Sequence, residues 1–157
     1  MYNYSERSEL YMIKYNPSAV QNGNNVEISG VQHFELRQTF DCGQAFRWSE
    51  INETTWLGIA HGRRLQVGLN DGVITLYDCT LEEYEKIWRN YLDIDRDYGE
   101  IMDIISQNEV LKNAAAENCG IRILRQDKWE TLCSFIISQN NNIPRIKVIV
   151  ERLCENF

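Results

Sequence analysis

The apolar pattern of this chain changes its period once, just after Tyr77, and that change limits the possible folds more sharply than any composition figure. Upstream, Thr54 to Ala60, Arg64 to Leu69 and Val73 to Tyr77 carry β-branched, aromatic and alternating apolar residues, and His61-Gly62 and Asn70-Asp71-Gly72 separate them as hairpin turns. The whole stretch from Val26 to Tyr77 reads as strand. It predicts an antiparallel sheet with one face burying Leu65, Val67, Ile74 and Leu76, and the other left for a helix or a second domain. The first thirty residues are polar, rich in Asn and Tyr, and contain a Gln21-Asn22-Gly23-Asn24-Asn25 turn, which predicts a loose arm followed by short strands.

Downstream the spacing is helical. Thr80-Leu81-Glu82-Glu83 has the form of a capping box, and Leu81, Tyr84, Ile87, Trp88, Tyr91 and Leu92 follow as one stripe. Further helices are predicted near Tyr98 to Ser106, with Ile101, Ile104 and Ile105 on one face, and from about Glu109 to Glu117. Ile121 to Leu124 is a short apolar connector, and Asp127 with Glu130 is a capping pair opening the next helix. Strands followed by helices, with no βαβ alternation, indicate an α+β fold.

At 157 residues, 43% of them hydrophobic and 11% aromatic, the chain can build one domain and the beginning of another. No stretch approaches the roughly 20 apolar residues of a membrane span. The N-terminus lacks the basic flank and apolar run of a secretory signal, so an intracellular protein is expected. Cys42, Cys79, Cys119, Cys133 and Cys154 are odd in number and form no Cys-x-x-Cys pair, which favours reduced thiols over disulfides or zinc. A net charge of −7 argues against a simple nucleic-acid coat. Its distribution is uneven. From Gly120 onward six basic residues (Arg122, Arg125, Lys128, Arg145, Lys147, Arg152) face four acidic ones, while the preceding part has ten basic and nineteen acidic, so any anion-facing surface is expected to be C-terminal.

The most unusual segment runs from Asp127 to Pro144. Trp129, Leu132, Cys133, Ile136 and Ile137, then Ile146, Ile149, Val150, Leu153 and Phe157, form two apolar stripes that meet behind a polar corner of Ser138, Gln139, Asn140, Asn141 and Asn142. Asn142 can cap the second helix and Pro144 suits its first turn. One cap needs one Asn. Three in succession, with Gln139 before them and Arg145 after, read as a tip that enters a polar partner, although turn-holding and capping roles for Asn141 and Asn142 stand beside that reading.

Two segments then carry a resemblance. Phe40-Asp41-Cys42-Gly43-Gln44-Ala45-Phe46-Arg47-Trp48, and Ile121-Arg122-Ile123-Leu124-Arg125-Gln126-Asp127 running on to Phe135-Ile136-Ile137-Ser138-Gln139-Asn140-Asn141-Asn142-Ile143-Pro144-Arg145, resemble the 8-oxoguanine DNA glycosylases over most of the chain after about residue 30. The resemblance implies a β-rich, TATA-binding-protein-like domain over residues 1–125 and the first two helices of an all-helical helix-hairpin-helix glycosylase domain over 126–157. It implies base excision from duplex DNA containing oxidised guanine, in which the base is extruded and the gap filled. Gly43 matches the glycine whose carbonyl accepts a hydrogen bond from N7–H of the lesion, a donor that normal guanine lacks. Asn140 matches the residue inserted into the duplex, and Arg145 the arginine that reads the opposite base, normally cytosine, with its planar fork. Asn141 and Asn142 complete the DNA-binding corner, and Gln44, Phe46 and Trp48 support the loop. A bulge glycine at Gly43 and a solvated Arg145 are the plainer alternatives.

The chemistry departs from the family pattern. That family attacks the sugar with a lysine beside a Gly-rich hairpin, assisted by an aspartate, and none of Lys14, Lys86, Lys112, Lys128 or Lys147 has such a context. The 157 residues are therefore expected to lack a catalytic residue, to form a truncated portion of a longer protein, and to be inactive alone. A non-catalytic DNA-binding or scaffolding module is the alternative. No metal or organic cofactor is implied, because the family's nucleophile is an amine. A monomer without membrane attachment is expected, in the cytoplasm or nucleoid of a bacterium or the nucleus of a eukaryote.

Overall fold

A computed structural model describes residues 15–156. Six antiparallel strands, β1 (Ser18–Asn22), β2 (Asn25–Ser29), β3 (Trp48–Asn52), β4 (Thr55–Ala60), β5 (Arg63–Asn70) and β6 (Val73–Tyr77), form one sheet in the order β1-β2-β6-β5-β4-β3. Hairpins join β1 to β2 and β3 through β6, while the pairing of Val26 with Leu76 and Ile28 with Ile74 closes the seam between sequence-distant strands. Both predicted turns between β4, β5 and β6 form, with His61 and Asp71 at φ 50° ahead of glycines at positive φ, as two-residue hairpins of matching twist require. Asn70 belongs to β5 and not to the turn. The expected loose arm, Lys14 and Phe157 lie outside the described residues.

Leu65, Val67, Ile74 and Leu76 are buried as predicted, and Val26, Ile28 and Trp56 join them. The helices cover that same face. On the opposite face Val20 and Ile59 remain exposed, and Ile59 borders a shallow depression shared with α7. Trp48 lies flat over Gly58, where an added Cβ would fall 2.2 Å from the indole, and stacks on Phe40 with ring centroids 3.9 Å apart. Its Nε1 donates to the Tyr91 hydroxyl at 2.8 Å, satisfying the one polar atom of a buried indole.

Four further findings differ from the sequence expectations. The stretch read as continuous strand contains a helix, α1 (Leu36–Phe40), capped by the Glu35 carboxylate; five residues are too few to display a helical period. The helical segment after Thr80 consists of α2 (Leu81–Glu83), a π-helical turn (Tyr84–Trp88) and α3 (Arg89–Tyr91). Tyr84, Trp88, Tyr91 and Leu92 of the predicted stripe are buried, while Leu81, ahead of the wider turn, stays on the surface. Next come α4 (Tyr98–Ser106) and α5 (Glu109–Glu117), capped by Asp97 and Asn108, and Ile104 of α4 is 68% exposed while Ile101 and Ile105 face α5 across a groove. Finally, α6 (Lys128–Ser138) buries no residue: Trp129 is 71% exposed and Leu132, Phe135 and Ile136 are also at the surface. Only Ile146 and Val150 of α7 (Ile143–Asn156) are buried, so the two stripes meet along one edge and leave the outer side of α6 uncovered.

Candidate nucleic-acid interface

The two segments singled out in the sequence are bound together by side-chain amides and one hydroxyl. Gln44 Nε2 donates to the carbonyls of Thr39 and Arg122, both at 2.8 Å, and its Oε1 accepts from Leu124 N–H at 3.0 Å. Gln126 Nε2 returns a bond to the Gln44 carbonyl at 2.6 Å, and the buried Thr39 hydroxyl donates to the Gly120 carbonyl while accepting from Arg122 N–H. Nearly every polar group of this junction has a partner, as buried amides require. The supporting role expected of Gln44 therefore has a concrete form: it splices the loop at 41–44 to the connector at 121–126.

Arg122 anchors the connector more deeply than the sequence suggested. Counted above among surface cations, it is fully buried, and that count is corrected here. Its two terminal nitrogens donate to the carbonyls of Asp93 (2.6 Å), Gln32 (2.7 Å) and Arg96 (3.4 Å) and to the Tyr15 hydroxyl (3.0 Å), while the guanidinium lies 4.4 Å from the Tyr98 ring centroid. A charge flanked by Ile121, Ile123 and Leu124 was the available signal, since an arginine inside an apolar connector points inward more readily than a surface one.

Gly43 is the hinge of the candidate site. It sits at φ +87°, and a Cβ there would lie 3.1 Å from Ile143 Cδ1. The loop therefore rests directly on the first residue of α7, immediately after the Asn cluster. Four residues further along the helix, Lys147 Nζ meets Asp41 Oδ1 at 2.6 Å. Phe46 and Trp48 line a shallow depression of about 340 Å³ together with Lys147 and Val150, which places the supporting aromatics behind the same contact.

At the corner each Asn has a different task. Asn142 Oδ1 accepts from Arg145 N–H at 3.1 Å and caps α7, and Asn141 Nδ2 donates to the Ile137 carbonyl at 2.7 Å, closing the end of α6. Asn140 adopts φ +56° and is exposed, and its side chain has no hydrogen-bond partner among the described residues. Ser138 and Gln139 bond back to the Phe135 carbonyl. Arg125 pairs with Asp93 and Lys147 with Asp41, which leaves Lys128, Arg145 and Arg152 as the exposed C-terminal cations with no ion pair among the described residues. Gly43 thus meets the residue that follows the Asn cluster, while Asn141 and Asn142 spend their amides on the turn.

A second depression of about 830 Å³ separates α6 and α7 from the β4–β5 turn, with Arg47, His61, Glu130, Cys133 and Val150 on its walls. Burial raises the Glu130 carboxyl above its usual range, opposed by Arg47, whose Nη1 lies 3.9 Å away. No group of His, Cys, Asp and Glu among the described residues could hold a metal ion. No described helix is long and apolar enough to cross a membrane.

Against known proteins, the family model for the 8-oxoguanine DNA glycosylase N-terminal domain matches residues 27–132. An N-glycosylase/DNA lyase of Saccharomyces cerevisiae is 31% identical over 135 residues, covering 78% of this chain and 36% of its own length. The N-glycosylase/DNA lyase OGG1 of Arabidopsis thaliana is 28% identical, covering 74% and 33%. Among solved structures, MBOgg1 in complex with a low-affinity DNA ligand superimposes with a TM-score of 0.81 at 42% identity, covering 84% of this chain and 46% of that one. The Clostridium acetobutylicum 8-oxoguanine glycosylase/lyase, bound to duplex DNA with cytosine opposite 8-oxoguanine, gives 0.81 at 39% identity, covering 86% and 46%. The chain thus spans about a third of the curated relatives it matches, and under half of these structures.

Proposed function

The chain belongs to the 8-oxoguanine DNA glycosylase family, and from that premise we propose that it is the lesion-reading part of a bifunctional glycosylase and AP lyase acting in base-excision repair. The Gly43 carbonyl accepts from N7–H of an extruded 8-oxoguanine. Normal guanine offers a lone pair there instead, at a cost on the order of 1–3 kcal/mol for the unsatisfied carbonyl. Asn140 fills the gap in the duplex and Arg145 addresses the acceptors of the orphaned cytosine. Asn141 and Asn142 set the shape of that tip, and Gln44, Phe46 and Trp48 hold the loop. Residues 126–157 are the first two helices of a helical glycosylase domain, which the uncovered apolar side of α6 supports. The nucleophilic lysine and its aspartate lie outside these 157 residues, which bind but do not cleave. The protein acts on DNA inside the cell, as a monomer and without a cofactor.

The observation that carries this reading is the packing of Gly43 on Ile143, since a lesion-reading loop and an opposite-strand tip must grip one nucleotide step together. The decisive experiment compares binding of the full-length protein to duplexes with 8-oxoguanine or guanine opposite cytosine. Gly43→Ala should abolish most of the preference for the lesion. Arg145→Ala should cost about 1–3 kcal/mol of binding and relax the preference for cytosine. Unchanged preferences in both variants, or strand cleavage by the 157-residue chain alone, would overturn the assignment.

A further inference from the structure

The loop carrying Gly43 and the first turns of α7 touch at two points with a shared geometry. Ile143 and Lys147 are four residues apart and so lie on one face of α7, and they meet Gly43 and Asp41, two residues apart on the loop. Arg145, midway between them in sequence, falls on the opposite side of the helix and is exposed. Lys147 also has a nearer acid in sequence, Glu151, one turn on and within reach along the helix, although in the weaker Lys-before-Glu order. Its ammonium goes instead to Asp41, 106 residues away. The local pair would stabilise only the helix. The distant one fixes the helix to the loop.

We infer that Lys147, through Asp41, is a positioning residue for lesion discrimination: the ion pair and the Ile143 contact together hold the Gly43 carbonyl at a set distance from the Asn140 and Arg145 side of the site. The inference rests on the reading of Gly43 given above and adds a residue to it. Gln44 ties the far side of the loop to the connector, while the Gly43–Ile143 contact is a single apolar point between the loop and α7. A second attachment at Asp41 fixes the loop relative to α7, so a carbonyl that accepts from N7–H stays aimed at the same side as the corner. Lys147 is thereby occupied and is not a phosphate ligand.

The test is a double-mutant cycle in the full-length protein, reading the ratio of dissociation constants for duplexes with 8-oxoguanine and with guanine opposite cytosine. Lys147→Met and Asp41→Asn should each lower that ratio by about two- to fivefold, the size expected when a partly exposed pair is lost. The double variant should be no worse than either single one, and Lys147→Arg should restore the ratio. A thermal-unfolding shift with no change in the ratio would overturn the positioning role. So would an equal loss of affinity for both duplexes with additive effects, which is the signature of a phosphate contact. Gly43→Ala run in parallel separates the two levels: a ratio insensitive to Gly43→Ala refutes the lesion-reading assignment itself. A ratio that collapses there but ignores Lys147 and Asp41 refutes only the clamp.

Discussion

Trp48 and Trp129 are both large indoles, one expected to support the Gly43 loop and the other placed on the apolar stripe of α6, yet one is 1% exposed and the other 71%. The sheet and its helices supply Trp48 with Phe40 on one side, Gly58 beneath and Tyr91 at its polar end. The α6–α7 pair supplies Trp129 with only the rim of a cleft. An amphipathic stripe states which face of a helix is to be covered, and says nothing about whether the covering partner lies within the same 157 residues. The body closes its own core. The hairpin is attached to it at a few points, among them Gly43 on Ile143, Asp41 with Lys147, and Arg47 facing Glu130.

That contrast makes ordered predictions. The largest effect is expected at Trp48→Ala, which empties the centre of the body and should cost about 3–5 kcal/mol in urea unfolding. A loss below about 1 kcal/mol would mean that the body is not the stable unit. A smaller effect concerns pH. Because burial raises the Glu130 pKa, the folded chain holds that proton more tightly than the unfolded one. This contribution is present in acid and is lost as pH rises through the raised value, so Glu130→Gln should flatten the decline of thermal stability with pH above the ordinary carboxylate range. An unchanged profile would place the carboxyl in water. The smallest effect in the isolated chain is expected at Trp129→Gln with Phe135→Ser, within about 0.5 kcal/mol of the parent, as for other exposed positions. The same pair in the full-length protein should destabilise it by several times as much, and equal effects in both would break the idea that α6 is covered by further helices.

The strands, the two tight turns between β4, β5 and β6, and helices α4 to α7 were legible because each has a period or a cap of its own. Asp127 caps α6 and Asn142 caps α7 where the sequence suggests. Helix α1 was hidden by its length, and the π-helical turn by the assumption of a constant phase. At the candidate site, Gly43, Gln44 and the Asn corner were visible as local motifs. The attachments of the Gly43 loop to α7 and to the connector were not, because the Asp41–Lys147 bridge and the Gln44–Gln126 bond join residues far apart in sequence, and no local pattern encodes such pairing. Arg122 was misjudged for a related reason: its partners are carbonyls, and every residue has one.

The junction around Gln44 also bears on how the protein is made. Thr39 and Gln44 have most of their partners at Gly120, Arg122, Leu124 and Gln126, some 78 to 83 positions later in the chain. During synthesis the hairpins from β3 to β6 can pair as they emerge, but the loop bearing Gly43 lacks its connector partners until residues 120–126 have left the ribosome, and its α7 contacts until Lys147 has. A nascent chain halted between β6 and the connector carries paired hairpins and an unset Gly43 loop.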